Sequence, residues 1–153
     1  MRIHVINPNT TASMTDKIGA CASRVAAGNT QIHVSQPDSG PVSIESHFDE
    51  AISAVGVLEE IRRGEAMGMD AYIIACFGDP GLLAARELTR APVIGIAEAG
   101  FHLATLISTR FSVVTTLQRT AIIAEHLLDQ YGFRDHCRRV RATDLPVLEL
   151  ENP

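Results

Sequence analysis

The sequence predicts an α/β protein built from parallel βαβ layers. Short apolar segments typical of buried strands alternate, over 153 residues, with segments whose apolar residues recur every three or four positions. Turn residues such as Gly, Pro, Asn and Asp separate the two kinds of segment. Because parallel neighbouring strands need a crossover connection, usually a helix, this alternation favours a parallel sheet covered by helices.

The first half of the chain contains two predicted strands and two predicted helices. Residues 2–6 form a strand that ends at Asn7-Pro8, and residues 12–27 form a helix with Cys21 expected on its core face. A second strand over residues 32–34 leads through a Pro- and Gly-rich loop to another helix. We expect the inward face of that helix to be its apolar series Ile52, Val55, Leu58 and Ile61.

The central predicted strand covers residues 72–76 and ends at Cys76. We expect Asp79 to be the N-cap, and Pro80 the first residue, of the helix that follows. The positive end of that helix would then lie close to Cys76, which would lower the thiol pKa and favour a reactive thiolate. The alternative interpretation is that Cys76 is a small apolar residue closing a buried strand.

The second half continues the alternation. Strands are predicted over residues 93–96 and 111–115, with helices over residues 98–106 and 118–131. Extended segments are expected again near Val140 and over residues 145–150. These elements complete the layered α/β pattern.

Composition excludes several classes of function. The net charge of −5 and the absence of a basic stripe argue against nucleic acid and anionic membranes as partners. The three cysteines, Cys21, Cys76 and Cys137, are too widely spaced for a disulfide framework or a metal site, and the histidines show no HxxxH pair. With no signal-like or membrane-spanning apolar run, we expect a cytoplasmic protein without a bound metal.

The residues that follow the predicted strands form one candidate site, because ligands bind beyond the carboxyl ends of parallel strands. The group contains one thiol and many short hydrogen-bonding side chains, but no Arg, Lys or paired carboxylate. No GxGxxG motif, P-loop lysine or GxSxG motif is present, so nucleotide binding and serine hydrolysis lack their usual residues. Its members are Asn7, Pro8, Asn9, Thr10, Ser43, Ile44, Cys76, Gly78, Asp79, Glu98, Thr115 and Thr116.

Four motifs in order resemble one family. They are INPNTT at residues 6–11, GPVSIES at 40–46, ACFGDPGL at 75–82 and GIAEA at 95–99. Together they resemble the hydantoin racemase and allantoin racemase branch of the aspartate/glutamate racemase superfamily, and the resemblance extends over the whole chain. It implies a fold of two α/β lobes.

The resemblance also implies a chemistry. Members of this branch racemise a carbon next to a carbonyl without a cofactor, using two cysteines on opposite faces of a small-molecule substrate, and Cys76 matches the first of them. The resemblance assigns Asn9, Ser43, Ile44, Gly78, Thr115 and Thr116 to the lining of the site, and Asp79 at the same edge is grouped with them. The lack of cationic residues fits a neutral hydantoin or allantoin ring better than an amino-acid carboxylate.

One part of the family pattern is missing. The second cysteine of the family lies in a Gly-Cys-Ala-Gly segment that this sequence does not contain, and Cys137 stands in a different, basic context. We therefore expect a first lobe over residues 1–97 that carries Cys76, and an incomplete second lobe over residues 98–153. Apolar surface left on the strands at 111–115 and 145–150 would favour a homo-oligomer.

Two other functions stay open at this point. A one-cysteine isomerase of the maleate type would use the same thiolate to add to a double bond. A non-catalytic lobe would bind a small neutral ring or another chain, and its ligand would bind without Cys76.

Overall fold

A computed structural model of the chain describes residues 1–151. Within them, strands and helices alternate in the order β1 (Arg2–Ile6), α1 (Ala12–Val25), β2 (Gln31–Ser35), α2 (His47–Met67), β3 (Ala71–Ile74), α3 (Leu82–Leu88), β4 (Val93–Gly95), α4 (Ile96–Ile107), β5 (Phe111–Thr115), α5 (Ala121–Gln130) and β6 (Cys137–Ala142). Short 3₁₀ turns cover Gln118–Thr120, Arg134–His136 and Val147–Glu151. The predicted α/β class is confirmed.

The strands form two parallel sheets. The first has the order β2-β1-β3-β4, and the second pairs β5 with β6. In the first sheet Ile6 lies beside Ile74, and Ile74 lies beside Gly95, so the carboxyl ends of three strands are level. This alignment places the loops that follow β1, β3 and β4 at one edge.

Each sheet has its own apolar core. The first core includes Ile6, Ile61, Tyr72 and Ile74, all fully buried. The second is built around Phe101, Val113, Leu127, Leu128 and Phe133. Tyr131 packs against both cores. The predicted lobe boundary between residues 97 and 98 falls in the first turn of α4 and stays a prediction.

The buried faces of the first two helices match the predicted ones only in part. On α2, Ile61 is buried and Leu58 is partly buried as predicted. Ile52 and Val55, however, are 44% and 58% exposed, and Gly56 and Gly64 are buried instead. A Cβ on Gly56 would overlap the Pro37 ring, so the small residues on this face let the helix approach its neighbours closely. The expectation for Cys21 was also wrong: it is exposed, and α1 turns Thr15 and Gly19 inward instead.

The segment predicted as a strand over residues 145–150 is a 3₁₀ turn instead. Pro146 cannot donate to a strand ladder, and its carbonyl accepts a hydrogen bond from the Glu149 N–H at 3.0 Å. The Val147 N–H donates to the Glu45 carboxylate at 2.8 Å, which fastens this turn to the loop before α2. No helix within residues 1–151 has both the length and the apolar character needed to cross a bilayer.

Candidate active site

A cavity of about 410 Å³ opens at the carboxyl edge of both sheets. Residues that follow or end β1, β3, β4, β5 and β6 contribute to its wall, as expected for a ligand site in a parallel sheet. Of the twelve residues predicted to form the site, seven line the cavity: Asn7, Asn9, Ile44, Cys76, Gly78, Thr115 and Thr116. The other five, Pro8, Thr10, Ser43, Asp79 and Glu98, do not.

The loop after β1 is held rigid by its own side chains. The Asn7 amide is buried and donates to Asn9 Oδ1 and to Thr15 Oγ1, both at 2.9 Å. Asn9 Oδ1 also accepts from the Thr11 N–H at 2.9 Å, a short side-chain-to-backbone bond typical of Asx turns. These bonds fix Asn9 at the cavity wall with little freedom to change rotamer.

Cys76 lies two residues after the end of β3 and lines the cavity, with the residue as a whole half-buried. Burial raises the pKa of its thiol to about 11, and the carboxylates of Asp79 and Glu50 raise it further, although the Gly78 N–H donates a hydrogen bond that lowers it. The prediction of a lowered thiol pKa is therefore wrong. Helix α3 begins only at Leu82, so two nearby negative charges and desolvation outweigh any helix dipole.

Asp79 has a different role from the one predicted, because Gly81, and not Asp79, is the residue before α3. Its backbone is left-handed, with φ of 45°, and its carboxylate accepts hydrogen bonds from the Ala97 and Glu98 N–H groups, both at 2.9 Å. Asp79 thus satisfies free donors at the start of α4. Being 5% exposed and outside the cavity lining, it holds the turn after Cys76 in place.

Glu50 is a site residue that the sequence reasoning missed. It is the only charged side chain among the described residues that line the cavity. Glu50 lies in the first turn of α2, where an acidic residue is common at the positive end of a helix, so its position in the sequence carried no signal of a site. Its carboxylate also lies beside the turn that follows Cys76.

The hydroxyl-rich side of the cavity is larger than predicted. Thr120 and Thr143 line it beside Thr115 and Thr116, and the Thr115 and Thr120 hydroxyls lie 3.1 Å apart. Thr143 directly follows β6. Ligands bind beyond the carboxyl ends of parallel strands, so Thr143 would have been predicted if the end of β6 had been assigned from the sequence.

The other two thiols lie elsewhere. Cys137 is the first residue of β6, at the opposite end of that strand from Thr143, and packs against the second core. Cys21 is exposed on α1. Among the described residues that line the cavity, Cys76 is therefore the only cysteine.

Fold and site define an α/β protein with one thiol at the carboxyl edge of a parallel sheet, facing a mostly uncharged cavity. The chain belongs to the Asp/Glu/hydantoin racemase family, whose profile matches residues 3–153. This finding confirms the resemblance drawn from the four motifs.

Individual relatives place the chain within one branch of the family. It is 56% identical to a hydantoin racemase of Rhizobium meliloti and 50% identical to a hydantoin racemase of Pseudomonas sp. strain NS671. Each of the two alignments spans 151 residues and covers 99% of this chain. The structure of an allantoin racemase from Klebsiella pneumoniae matches with 63% identity and a TM-score of 0.98, over 99% of this chain and 62% of that one. The chain spans 63% and 61% of the length of the two hydantoin racemases.

Proposed function

We propose that this protein is an isomerase that racemises a neutral hydantoin- or allantoin-type ring, with Cys76 exchanging the proton on one face of the ring carbon. The observation that carries the proposal is the position of Cys76 in the wall of a cavity of about 410 Å³ whose described lining includes no Lys or Arg. The similarity to proteins named hydantoin racemase and allantoin racemase supports the same substrate class.

The chemistry requires a carbon acid and a group that stabilises the resulting enolate. In a 5-substituted hydantoin the hydrogen on C5 is acidified by the adjacent carbonyl, and the enolate oxygen needs hydrogen-bond donors. The Asn9 amide and the hydroxyls of Thr115 and Thr116 are suitable donors in the cavity wall. Because the thiol pKa is raised, Cys76 rests mainly as the protonated thiol, and its small thiolate fraction removes the C5 proton. The thiol formed exchanges its proton with solvent and returns one to the same face of the enolate.

The proposal assigns the second proton transfer, on the opposite face, to a second cysteine of the kind that the family resemblance implies. Cys137 does not fill this role, since it lies away from the cavity. A single thiol exchanges a proton on one face only. The chain of 153 residues by itself should therefore exchange the C5 hydrogen with solvent while keeping the configuration of the ring.

The test follows C5 of one enantiomer of a 5-substituted hydantoin in D₂O, by NMR for deuterium and by chiral chromatography for configuration. We expect enzyme-dependent exchange with retention, lost in Cys76→Ser and unchanged in Cys137→Ser. Exchange that survives Cys76→Ser would exclude the thiol as the exchanging group. Rapid racemisation by this chain, unaffected by Cys137→Ser, would contradict the need for a second cysteine.

We also propose that the enzyme works without a cofactor and is located in the cytoplasm. We propose further that it forms a homo-oligomer, and that the boundary between its two lobes lies near residue 97. Three free cysteines support a reducing compartment. Leu103, Leu106 and Ile107 on α4 are 62%, 79% and 88% exposed, an apolar surface that supports association. Light scattering measures the oligomeric state, and a strictly monomeric protein would contradict that part.

A further inference from the structure

Among the described residues that line the cavity, Glu50 carries the one charged side chain, and its two carboxylate oxygens differ in their contacts. Glu50 Oε2 lies 3.2 Å from His47 Nδ1, which holds one side of the carboxylate at the start of α2. The described contacts of the side chain include no hydrogen bond to Oε1, and the side chain is 24% exposed. A carboxylate oxygen in a partly closed, otherwise uncharged cavity strongly favours an N–H or O–H donor.

Glu50 Oε1 and the Cys76 thiol both lie close to Gly78. The point that a Cβ would occupy on Gly78 is 3.3 Å from Glu50 Oε1 and 3.9 Å from Cys76 Sγ. Gly78 has no side chain to separate the two groups, so both border the same small region. A ligand that offers a C–H to Sγ can therefore offer a neighbouring N–H to Oε1.

We propose that Glu50 is a specificity-determining residue that accepts a hydrogen bond from the N–H attached directly to the reacting carbon. This inference rests on the proposed function. In a hydantoin ring the N1–H is bonded to C5, the carbon whose hydrogen Cys76 exchanges, so one ring edge presents the C–H and the N–H side by side. Allantoin shares this edge.

The same carboxylate selects against anionic substrates. A substrate carboxylate placed next to the reacting carbon would lie close to Glu50, with no Lys or Arg among the described lining residues to neutralise either charge. Two carboxylates placed close together in a partly buried site repel each other strongly. Glu50 thus gives a physical reason for a neutral, N–H-bearing ring in place of an amino acid.

The experiment measures ring binding by titration calorimetry, with the 153-residue chain and three probes. These are a 5-substituted hydantoin, its N1-methyl derivative, which lacks the donor, and its N3-methyl derivative, which carries the same added bulk but keeps the donor. The proteins are the unaltered chain, Glu50→Ala and Glu59→Ala. Glu59 is a matched control, because it is an exposed carboxylate on the same helix.

We expect the unaltered chain to bind the N1-methyl ring at least about tenfold more weakly than the other two, as loss of one charge-assisted hydrogen bond predicts. Glu50→Ala should weaken binding of the parent ring by a similar factor and remove the discrimination, whereas Glu59→Ala should keep it. Discrimination that persists in Glu50→Ala, or is absent from the unaltered chain, would overturn the role of Glu50. Failure of the unaltered chain to bind any of the three rings would instead overturn the proposed substrate class.

Discussion

The Tyr131 hydroxyl donates a hydrogen bond to the Asp79 carboxylate at 3.0 Å. This bond joins the end of α5, next to the second sheet, to the turn that follows Cys76 in the first sheet. Because Asp79 also caps α4, one buried carboxylate fastens three segments together. The position of the Cys76 turn therefore depends on a residue more than fifty positions away in the chain.

Tyr131→Phe should lower the free energy of unfolding by about 1–3 kcal/mol, the usual contribution of a hydrogen bond to a charged, buried group. Because the aromatic ring keeps its packing against both cores, the lost free energy reports the contribution of the hydroxyl alone. Urea denaturation measures it. In an Asp79→Asn background the same change should cost much less, because the charged acceptor is already gone. Equal losses in both backgrounds would show that the bond contributes nothing.

Gly95→Ala should destabilise the protein by at least about 2 kcal/mol, or prevent folding, because the new Cβ would overlap the buried Asp79 carboxyl group. Gly100→Ala, on α4 just after Gly95, is the control. No atom lies within 4 Å of the Cβ position there, so we expect a gain of about 0.5–1 kcal/mol from helix propensity. Similar effects of the two changes, measured by thermal denaturation, would contradict the close contact.

The sequence predicted the order of elements and the edge on which the cavity lies, because both follow from local patterns. Buried strands, turn residues and parallel topology are sufficient to bring Asn9, Cys76 and Thr115 to one edge. The same patterns identified Ile61 but not the rest of the inward face of α2, where Gly56 and Gly64 are buried and Val55 is exposed. A helix face that is buried through small residues does not show the periodic apolar side chains from which an inward face is predicted.

Local patterns also missed the long-range roles of Asp79 and Glu50. Asp79 was predicted to cap the helix that follows it, and Glu50 lies in the first turn of α2, where an acidic residue commonly stabilises its own helix. Their partners lie far away in sequence: Asp79 caps α4, and Glu50 borders Cys76 across the Gly78 turn. The error in the thiol pKa has a similar origin, since burial of Cys76 in the tertiary structure raises that pKa most and the two carboxylates raise it further.

Cys76 should react slowly with iodoacetamide at neutral pH. With its pKa raised to about 11, only about one thiol in a thousand is ionised at pH 8, and the alkylation rate should keep rising up to about pH 11. Mass spectrometry of the Cys76 peptide follows the rate, and exposed Cys21 in the same sample serves as the internal reference. A rate for Cys76 that levels off near pH 7 would restore the prediction of a reactive thiolate.

A buried polar cluster lies beneath α2, in the first core. The fully buried His4 places Nε2 2.6 Å from Ser35 Oγ and 3.8 Å from Glu60 Oε2, and Ser35 donates a hydrogen bond to Glu60. Burial, and to a smaller extent the neighbouring His33, lower the pKa of His4 to about 4. His4 is therefore neutral in the folded protein at pH values where an exposed histidine already begins to charge.

This difference makes stability depend on pH in a defined direction. Above pH 6.5 His4 is neutral in both states and has no effect. Between pH 6.5 and 4 the unfolded chain binds a proton that the folded protein does not, so up to about 3 kcal/mol of stability is lost as the pH falls. Urea denaturation between pH 7 and 4 measures the loss.

His4→Gln should remove most of this pH dependence, whereas His136→Gln, at an exposed position, should retain it. If His4→Gln fails to fold, NMR titration of the His4 ring in the unaltered protein provides the same test, with an expected midpoint near 4. A midpoint near 6.5 would mean that the ring is solvated and that its burial does not govern the acid stability of the first sheet. Because β1 carries both His4 and the loop that holds Asn9, acid loss of this core should also release one wall of the cavity.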